Sequence, residues 1–284
     1  MLRQILKRGI ERALQWTGYA IVPEWDRGAH AQARYLQRLC KLMEIDCILD
    51  VGGNRGQYGR FLRDRVGYRG LIISFEPIPE NASAIAAQAG NDELWVVKQF
   101  ALGSHAGSAT FNVMQDTVFS SFLDPGRARG NQYFVDNKIA RRIEVEVHTL
   151  DALMDDLRST FGFKHPYLKL DTQGFDLEVL RGAVGSLAGI RALQTEASVQ
   201  PIYEGMPDYR AVIAHLNELG YAIGEMFSVN QYGFPFAVEF DCHRVSRQLF
   251  ERLRPAPKKC FEHRSTRLRV VFRRIFILRI SVKC

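Results

Sequence analysis

Long apolar runs and paired cysteines are both missing from this chain of 284 residues. No stretch approaches the roughly 18 uninterrupted apolar residues that a membrane-spanning helix needs, which excludes a span. The five cysteines, Cys40, Cys47, Cys242, Cys260 and Cys284, form no C-x-x-C pair and are odd in number. That spacing argues against a disulfide framework or a zinc knuckle, and it fits a reducing, cytoplasmic setting. No internal repeat and no low-complexity block interrupts the chain. What is present is ordinary for a folded protein: 46% hydrophobic and 24% charged residues exclude a wholly disordered chain. The length suffices for one large α/β domain with appendages.

Positive charge is scarce everywhere but at one end. Residues 251–284 hold 11 Lys and Arg against 2 Asp and Glu, whereas the other 250 residues hold 27 against 29. The body is mildly acidic, and the net charge of +7 comes from the tail. A nucleic-acid binder usually carries its basic surface on the folded domain, so the expectation is no nucleic-acid partner. The first 16 residues read as a basic amphipathic helix, with Leu2, Ile5, Leu6, Ile10 and Leu14 on one side. Charges interrupt its apolar residues, so it forms no secretory signal. With the basic tail it suits peripheral contact with an anionic membrane, at the inner face of the membrane. The expected organisation is an N-terminal helical segment over 1–45, a catalytic domain over 46–250 and a basic tail over 251–284.

Between these ends, strand and helix patterns alternate. Apolar strands are expected at 47–51, 70–75, 94–100, 167–170 and 191–195, with helices at 28–43, 79–89, 174–183 and 208–219. That rhythm implies right-handed βαβ units and a parallel sheet. Residues 109–114 and 143–147 alternate like antiparallel strands. A long loop over 115–142, with Tyr133 and Phe134, has the length of a lid or binding loop. Two last strands are expected at 221–227 and 236–245.

The first strand runs into Asp50-Val-Gly-Gly-Asn-Arg-Gly56. A glycine-rich turn between a parallel strand and a helix lets backbone approach a ligand. The dinucleotide pattern G-x-G-x-x-G fails here, because its first glycine falls on Val51. What fits is Asp50-x-Gly52-x-Asn54-x-Gly56 followed by Glu76 at the end of the next strand. An ionised Glu76 has two acceptor oxygens for the two hydroxyls of a ribose. The amides and side chains of 52–56, Gly53 among them, would hold an amino-acid end. S-adenosylmethionine is a ligand of that description.

Further motifs make the sequence resemble the FkbM-type family of S-adenosylmethionine-dependent methyltransferases. They are Ile48–Gly56, Phe75-Glu-Pro-Ile-Pro-Glu-Asn81, Ala101-Leu-Gly103, Phe119-Ser-Ser-Phe122, Val147-His-Thr-Leu-Asp151, Leu168–Asp176 and Glu196. The resemblance implies a class I, Rossmann-like methyltransferase fold: a seven-stranded, mostly parallel sheet whose last strand is antiparallel. It implies O-methylation of a small molecule, sugar or glycolipid, and adds Ala101 to the cofactor contacts. The family's Lys-x-Asp-x-Glu-Gly segment carries Gln173 in place of Glu.

Transfer to a hydroxyl needs alignment and a proton acceptor. Asp171 and Glu196 end two strands at the edge that carries Asp50 and Glu76. Asp171 is the leading candidate for base, its competing role being a cap on the following helix. Glu196 and His243 are weaker candidates, and Ser120 and Ser121 are candidate acceptor contacts. No residue is assigned to a metal, and a divalent cation that acidifies the hydroxyl stays an open alternative. Two other readings stand beside the transferase: a non-catalytic adaptor on the same fold, and a nicotinamide-dependent reductase.

Overall fold

A computed structural model describes residues 21–126, 137–229 and 237–253. The expected N-terminal amphipathic helix, Tyr133, Phe134 and nearly all of the basic tail lie outside those residues. The chain divides into two compact units, 1–252 and 253–284, and every described residue but the last belongs to the first unit. Among the described residues no helix is long and apolar enough to cross a membrane.

Helix α1 (Arg27–Leu42) leads into β1 (Cys47–Val51), α2 (Gln57–Phe61), β2 (Leu71–Phe75), α3 (Pro79–Ala89) and β3 (Trp95–Lys98). A second strand group follows: β4 (Ala101–Leu102), β5 (Gly107–Met114) and β6 (Ile139–His148). The alternation then resumes with α4 (Leu150–Phe161), β7 (Pro166–Leu170), α5 (Asp176–Arg181), α6 (Val184–Leu187), β8 (Ala192–Ser198) and α7 (Tyr209–Glu218). Strands β9 (Tyr221–Ser228) and β10 (Glu239–Ser246) and helix α8 (Arg247–Leu253) complete the described residues.

Seven strands form one sheet in the order β3-β2-β1-β7-β8-β10-β9. β1, β2, β3, β7 and β8 pair in parallel, and β10 runs antiparallel to both β8 and β9. This is the class I arrangement with a reversed last strand. Every residue of β1, β2 and β7 is buried, which explains their continuous apolar runs. Alternation sorts them between two cores. Leu49, Ile73 and Leu168 pack with α4, α5 and α7, while Ile48, Ile72 and Tyr167 pack with α1.

The strand expected over 94–100 ends at Lys98. Trp95–Lys98 joins the large sheet, whereas Ala101–Leu102, just beyond the expected strand, pairs with β6 in a separate three-stranded sheet, order β4-β6-β5. β5 and β6 are antiparallel, and Ala101, Phe111, Val113, Val145 and Val147 bury their apolar face with Ile78. The break at 99–100 matters, because it brings Ala101 and Leu102 to the cleft at the ligand edge of the large sheet.

Candidate functional site

The carboxyl ends of β1, β2 and β7 open on a cleft. Gly52, Asn54, Glu76, Ala101, Ser120 and Asp171 line it, together with Ile78, Phe111, Thr117, Phe122, Thr172 and Gln173. A cleft at this edge is where open α/β sheets bind ligands. Thus six of the twelve residues singled out from the sequence meet there.

Glu76 is buried, and each of its oxygens takes one backbone N–H: Ile78 donates to Oε1 at 2.9 Å and Asn54 to Oε2 at 2.8 Å. Burial outweighs these bonds and pushes its pKa up to about 7. The Asn81 side chain adds a further hydrogen bond to Glu76, and the carboxyl group lines the cleft. Asn54 has φ +45°, and its Oδ1 accepts from Asn81 Nδ2 at 2.9 Å and from Thr117 Oγ1 at 3.0 Å. Asn54 therefore ties the glycine loop to α3 and to the segment after β5.

The loop itself differs from the expected anion cradle. Gly52 and Gly53 donate to Phe75 O, Gly56 to Gly53 O, Asn54 to Glu76 and Arg55 to Gln57 Oε1. All five amides are engaged within the protein. Gly52 has φ +78°, and a Cβ there would lie 2.0 Å from the Asp171 carbonyl oxygen. The demand for glycine at 52 thus comes from close packing of β1 on the turn after β7. Gly53 faces Ile85, Ser74 and Asp50 rather than the cleft. Gly56 has φ +88° at the start of α2, with Gln88 and Trp95 beside it. Neither Gly53 nor Gly56 lines the cleft.

Asp50 also belongs to the interior. It is fully buried and sits in register with Ser74 and Lys169 on the flanking strands. Ser74 Oγ donates to Asp50 Oδ2 at 2.9 Å, and Lys169 Nζ lies 3.0 Å from Oδ1. Burial works against the Lys169 charge, but Asp50 and then Asp171 outweigh it and raise its pKa above the ordinary lysine value. Lys169 Nζ also donates to Gly52 O at 3.2 Å and approaches Asp171 Oδ2 at 3.4 Å. Asp50 reaches the cleft only through this lysine.

Asp171 is the accessible acid, its side chain 35% exposed. It does not cap α5, whose N-cap position is Phe175 and which has no side-chain cap; Asp176 Oδ1 instead accepts from Thr172 N at 2.9 Å and Thr172 Oγ1 at 2.5 Å in the turn before the helix. Helix α5 starts two residues later than the pattern suggests, because Gln173 (φ +53°) and Gly174 (φ +90°) are left-handed. Gln173 Nε2 donates to Asp171 Oδ1 and to Glu196 Oε2, both at 3.0 Å.

Three further candidates lie off the cleft wall. Glu196 sits behind Gln173, and burial followed by the charge of Asp171 raises its pKa well above the usual carboxyl range. His243 is fully buried among Tyr35, Tyr167 and Phe227, with Tyr167 Oη 2.8 Å from Nδ1. Burial lowers its pKa to about 3, so it is a neutral core residue and not a base in the cleft. Ser121 is buried, its Oγ donating to Gln173 O at 2.8 Å and accepting from Leu123 N. Ser120 does line the cleft, with its Oγ accepting from Met114 N at 3.1 Å. Among the described residues no three His, Cys, Asp or Glu are arranged to hold a metal ion.

Sequence reasoning missed Phe111 and Thr117 on the cleft wall. Phe111 was readable only as an inward position of an alternating strand. Thr117 gave no signal, since its contact with Asn54 joins residues 63 apart.

A family model described as a methyltransferase FkbM domain matches residues 50–223, more than half of the chain. No curated protein matches. Among solved structures, fibrillarin of Aeropyrum pernix, with natively bound S-adenosyl-L-methionine, is 13% identical. The match covers 77% of this chain and 76% of that one, at a TM-score of 0.42. The magnesium protoporphyrin IX methyltransferase of Synechocystis PCC 6803, with the same compound bound, is 9% identical over 84% of this chain and 91% of that one, TM-score 0.42. An rRNA methylase of Streptococcus thermophilus is 10% identical over 80% and 99%, TM-score 0.39.

Proposed function

The chain belongs to the FkbM methyltransferase family, and from that premise we propose that it transfers a methyl group from S-adenosylmethionine to a hydroxyl of a small molecule, sugar or glycolipid. The observation that carries the cofactor reading is Glu76: a buried carboxyl group at the end of β2, oriented by the Asn54 and Ile78 amides and lining the cleft. Two vicinal hydroxyls would complete it and offset the burial that raises its pKa. Apolar Ile78, Ala101, Leu102 and Phe111 beside it suit a flat heteroaromatic base. The bound cofactor supplies an activated methyl group, so the protein's part is alignment and proton removal.

Asp171 is the residue we assign to proton removal. It is the exposed acid of the cleft and is not used as a helix cap. One donor holds each oxygen, Gln173 on Oδ1 and Lys169 near Oδ2. Its remaining acceptor sites can take a hydroxyl proton from an acceptor. A sugar or glycolipid acceptor at a membrane surface is favoured by the basic segment 251–284.

The test uses methyl-labelled cofactor with small-molecule and glycolipid fractions of a lysate, the labelled product being identified by mass spectrometry. The expected product is a methyl ether. Label on nitrogen or on nucleic acid would overturn the acceptor class. Cofactor binding without turnover on any fraction would favour the adaptor reading.

A further inference from the structure

Gln173 sits between two acids that would otherwise repel one another. Its Nε2 has two N–H bonds, and both are used, one on Asp171 and one on Glu196. Its Oε1 lies 2.9 Å from Tyr203 Oη, which shares its one proton between that oxygen and Phe119 O at 2.8 Å. Reversing the amide would aim an oxygen at two carboxyl groups, so the network fixes its orientation. The backbone is pinned as well, by the Ser121 hydrogen bond to Gln173 O.

We propose that the Gln173 amide stands where a divalent cation would otherwise bridge Asp171 and Glu196, and that this chain positions Asp171 without a metal at that point. A bridging cation fixes two carboxyl rotamers and cancels their repulsion. Here two directed hydrogen bonds fix the rotamers. Lys169 offsets the charge of Asp171, and burial, with Asp171, Glu239, Asp241 and Asp176 nearby, raises the pKa of Glu196 well above the usual carboxyl range. A cation at the amide nitrogen would need oxygens at about 2.3–2.6 Å for Ca²⁺, well inside the present contacts, and more oxygen ligands than two acids supply. Glutamate at 173 would bring a third carboxyl group with no proton to donate when ionised, and a hard cation could then hold all three. Gln173 is thus a positioning residue. The role of Asp171 as base rests on the proposed methyl transfer; the replacement of a cation by an amide does not.

Mn²⁺ titration of the full chain, followed by the electron paramagnetic resonance of the free ion, tests this. The wild type should show no saturable site that depends on Asp171. Gln173→Glu should bind one Mn²⁺ at least about tenfold more tightly, and adding Asp171→Asn should abolish that binding. Gln173→Ala, which leaves two acids and an open space, should fall between them. A wild-type site removed by Asp171→Asn would overturn the proposal, as would equal affinity in the wild type and Gln173→Glu. If the Glu variant does not fold, the Ala variant decides: affinity no higher than wild type overturns the proposal. S-adenosylmethionine titrated by calorimetry without metal reports separately. Failure to bind there counts against the proposed function and leaves the Mn²⁺ comparison standing.

Discussion

The two sides of the cleft are built by different means. On the β1–β2 side, backbone does most of the holding: glycine-loop amides bond within the loop and to Phe75, and Glu76 is fixed by two backbone N–H groups, those of Ile78 and Asn54. On the β7–β8 side, side chains hold side chains. Lys169, Asp171, Gln173, Glu196 and Tyr203 bond across 2 to 30 residues of sequence. The first kind of construction yields one solvent-poor carboxylate tuned toward neutrality. The second yields a crowded acidic patch, where burial also pushes Glu239 up to about 8 and Asp241 up to about 6. The first side suits a fixed ligand shared by every turnover, and the second suits an acid whose orientation can be tuned residue by residue.

The largest effect should come from breaking the backbone-held side. Glu76→Ala removes two hydrogen bonds to a charged group, at about 1.5–3 kcal/mol each, so affinity for S-adenosylmethionine should fall about 10²-fold or more. It also strips the Asn54 and Ile78 amides of their acceptor, so thermal stability should fall with it. Calorimetry on protein shown to be folded checks this, and wild-type affinity would remove Glu76 from the cofactor site. On the other side, Asp171→Asn should leave that affinity near wild type and lower kcat by about 10²-fold. An unchanged kcat would end its role as base.

How much was legible follows the same division. The parallel strands, the ligand edge and the place of Glu76 at a strand end could be read because each depends on local pattern: buried strands, a glycine turn, an acid after an apolar run. Asp50 and Gly56 carry the same local signal but do not line the cleft. Nothing in a single sequence says that Asp50 has Ser74 and Lys169 directly across in register. Glu196 and Asp171 looked equivalent as strand-end acids. What separates them is Gln173, whose left-handed backbone puts its amide between them and leaves only Asp171 facing the cleft. His243 looked available because its neighbours in space come from α1, β7 and β9, which the sequence does not bring together.

The raised pKa of Glu76 gives a pH signature specific to the β1–β2 side. Its folded value of about 7 exceeds the ordinary 4.5, so the folded protein holds more protons than the unfolded chain between those values. Stability contributed at this site therefore falls as pH rises through that window. Ligand binding should run the other way. Hydroxyls donating to the ionised form pull the proton off, so affinity should rise by up to about tenfold per pH unit toward 7 and then level. Calorimetry in buffers of different ionisation enthalpy should detect proton release near neutrality. Proton uptake, or a pH-independent affinity, would mean that Glu76 binds in its neutral form.

The smallest effect is expected at Gly56, and it sharpens the contrast between loop backbone that shapes the site and loop backbone that meets the ligand. An added Cβ there would lie 3.4 Å from Gln88 Oε1 and from the Trp95 ring, ordinary contact distances, and Gly56 does not line the cleft. The cost of Gly56→Ala is then the left-handed backbone alone, about 1–2 kcal/mol for a residue with a side chain. In a domain of this size that corresponds to a drop in Tm of roughly 2–8 °C. Affinity for S-adenosylmethionine should stay within a small factor of wild type, because all five loop amides are already engaged and none is lost. Melting curves with and without the cofactor separate the two terms: both should fall by the same amount. A folded Gly56→Ala protein that no longer gains stability from the cofactor would show that the loop backbone meets the ligand directly.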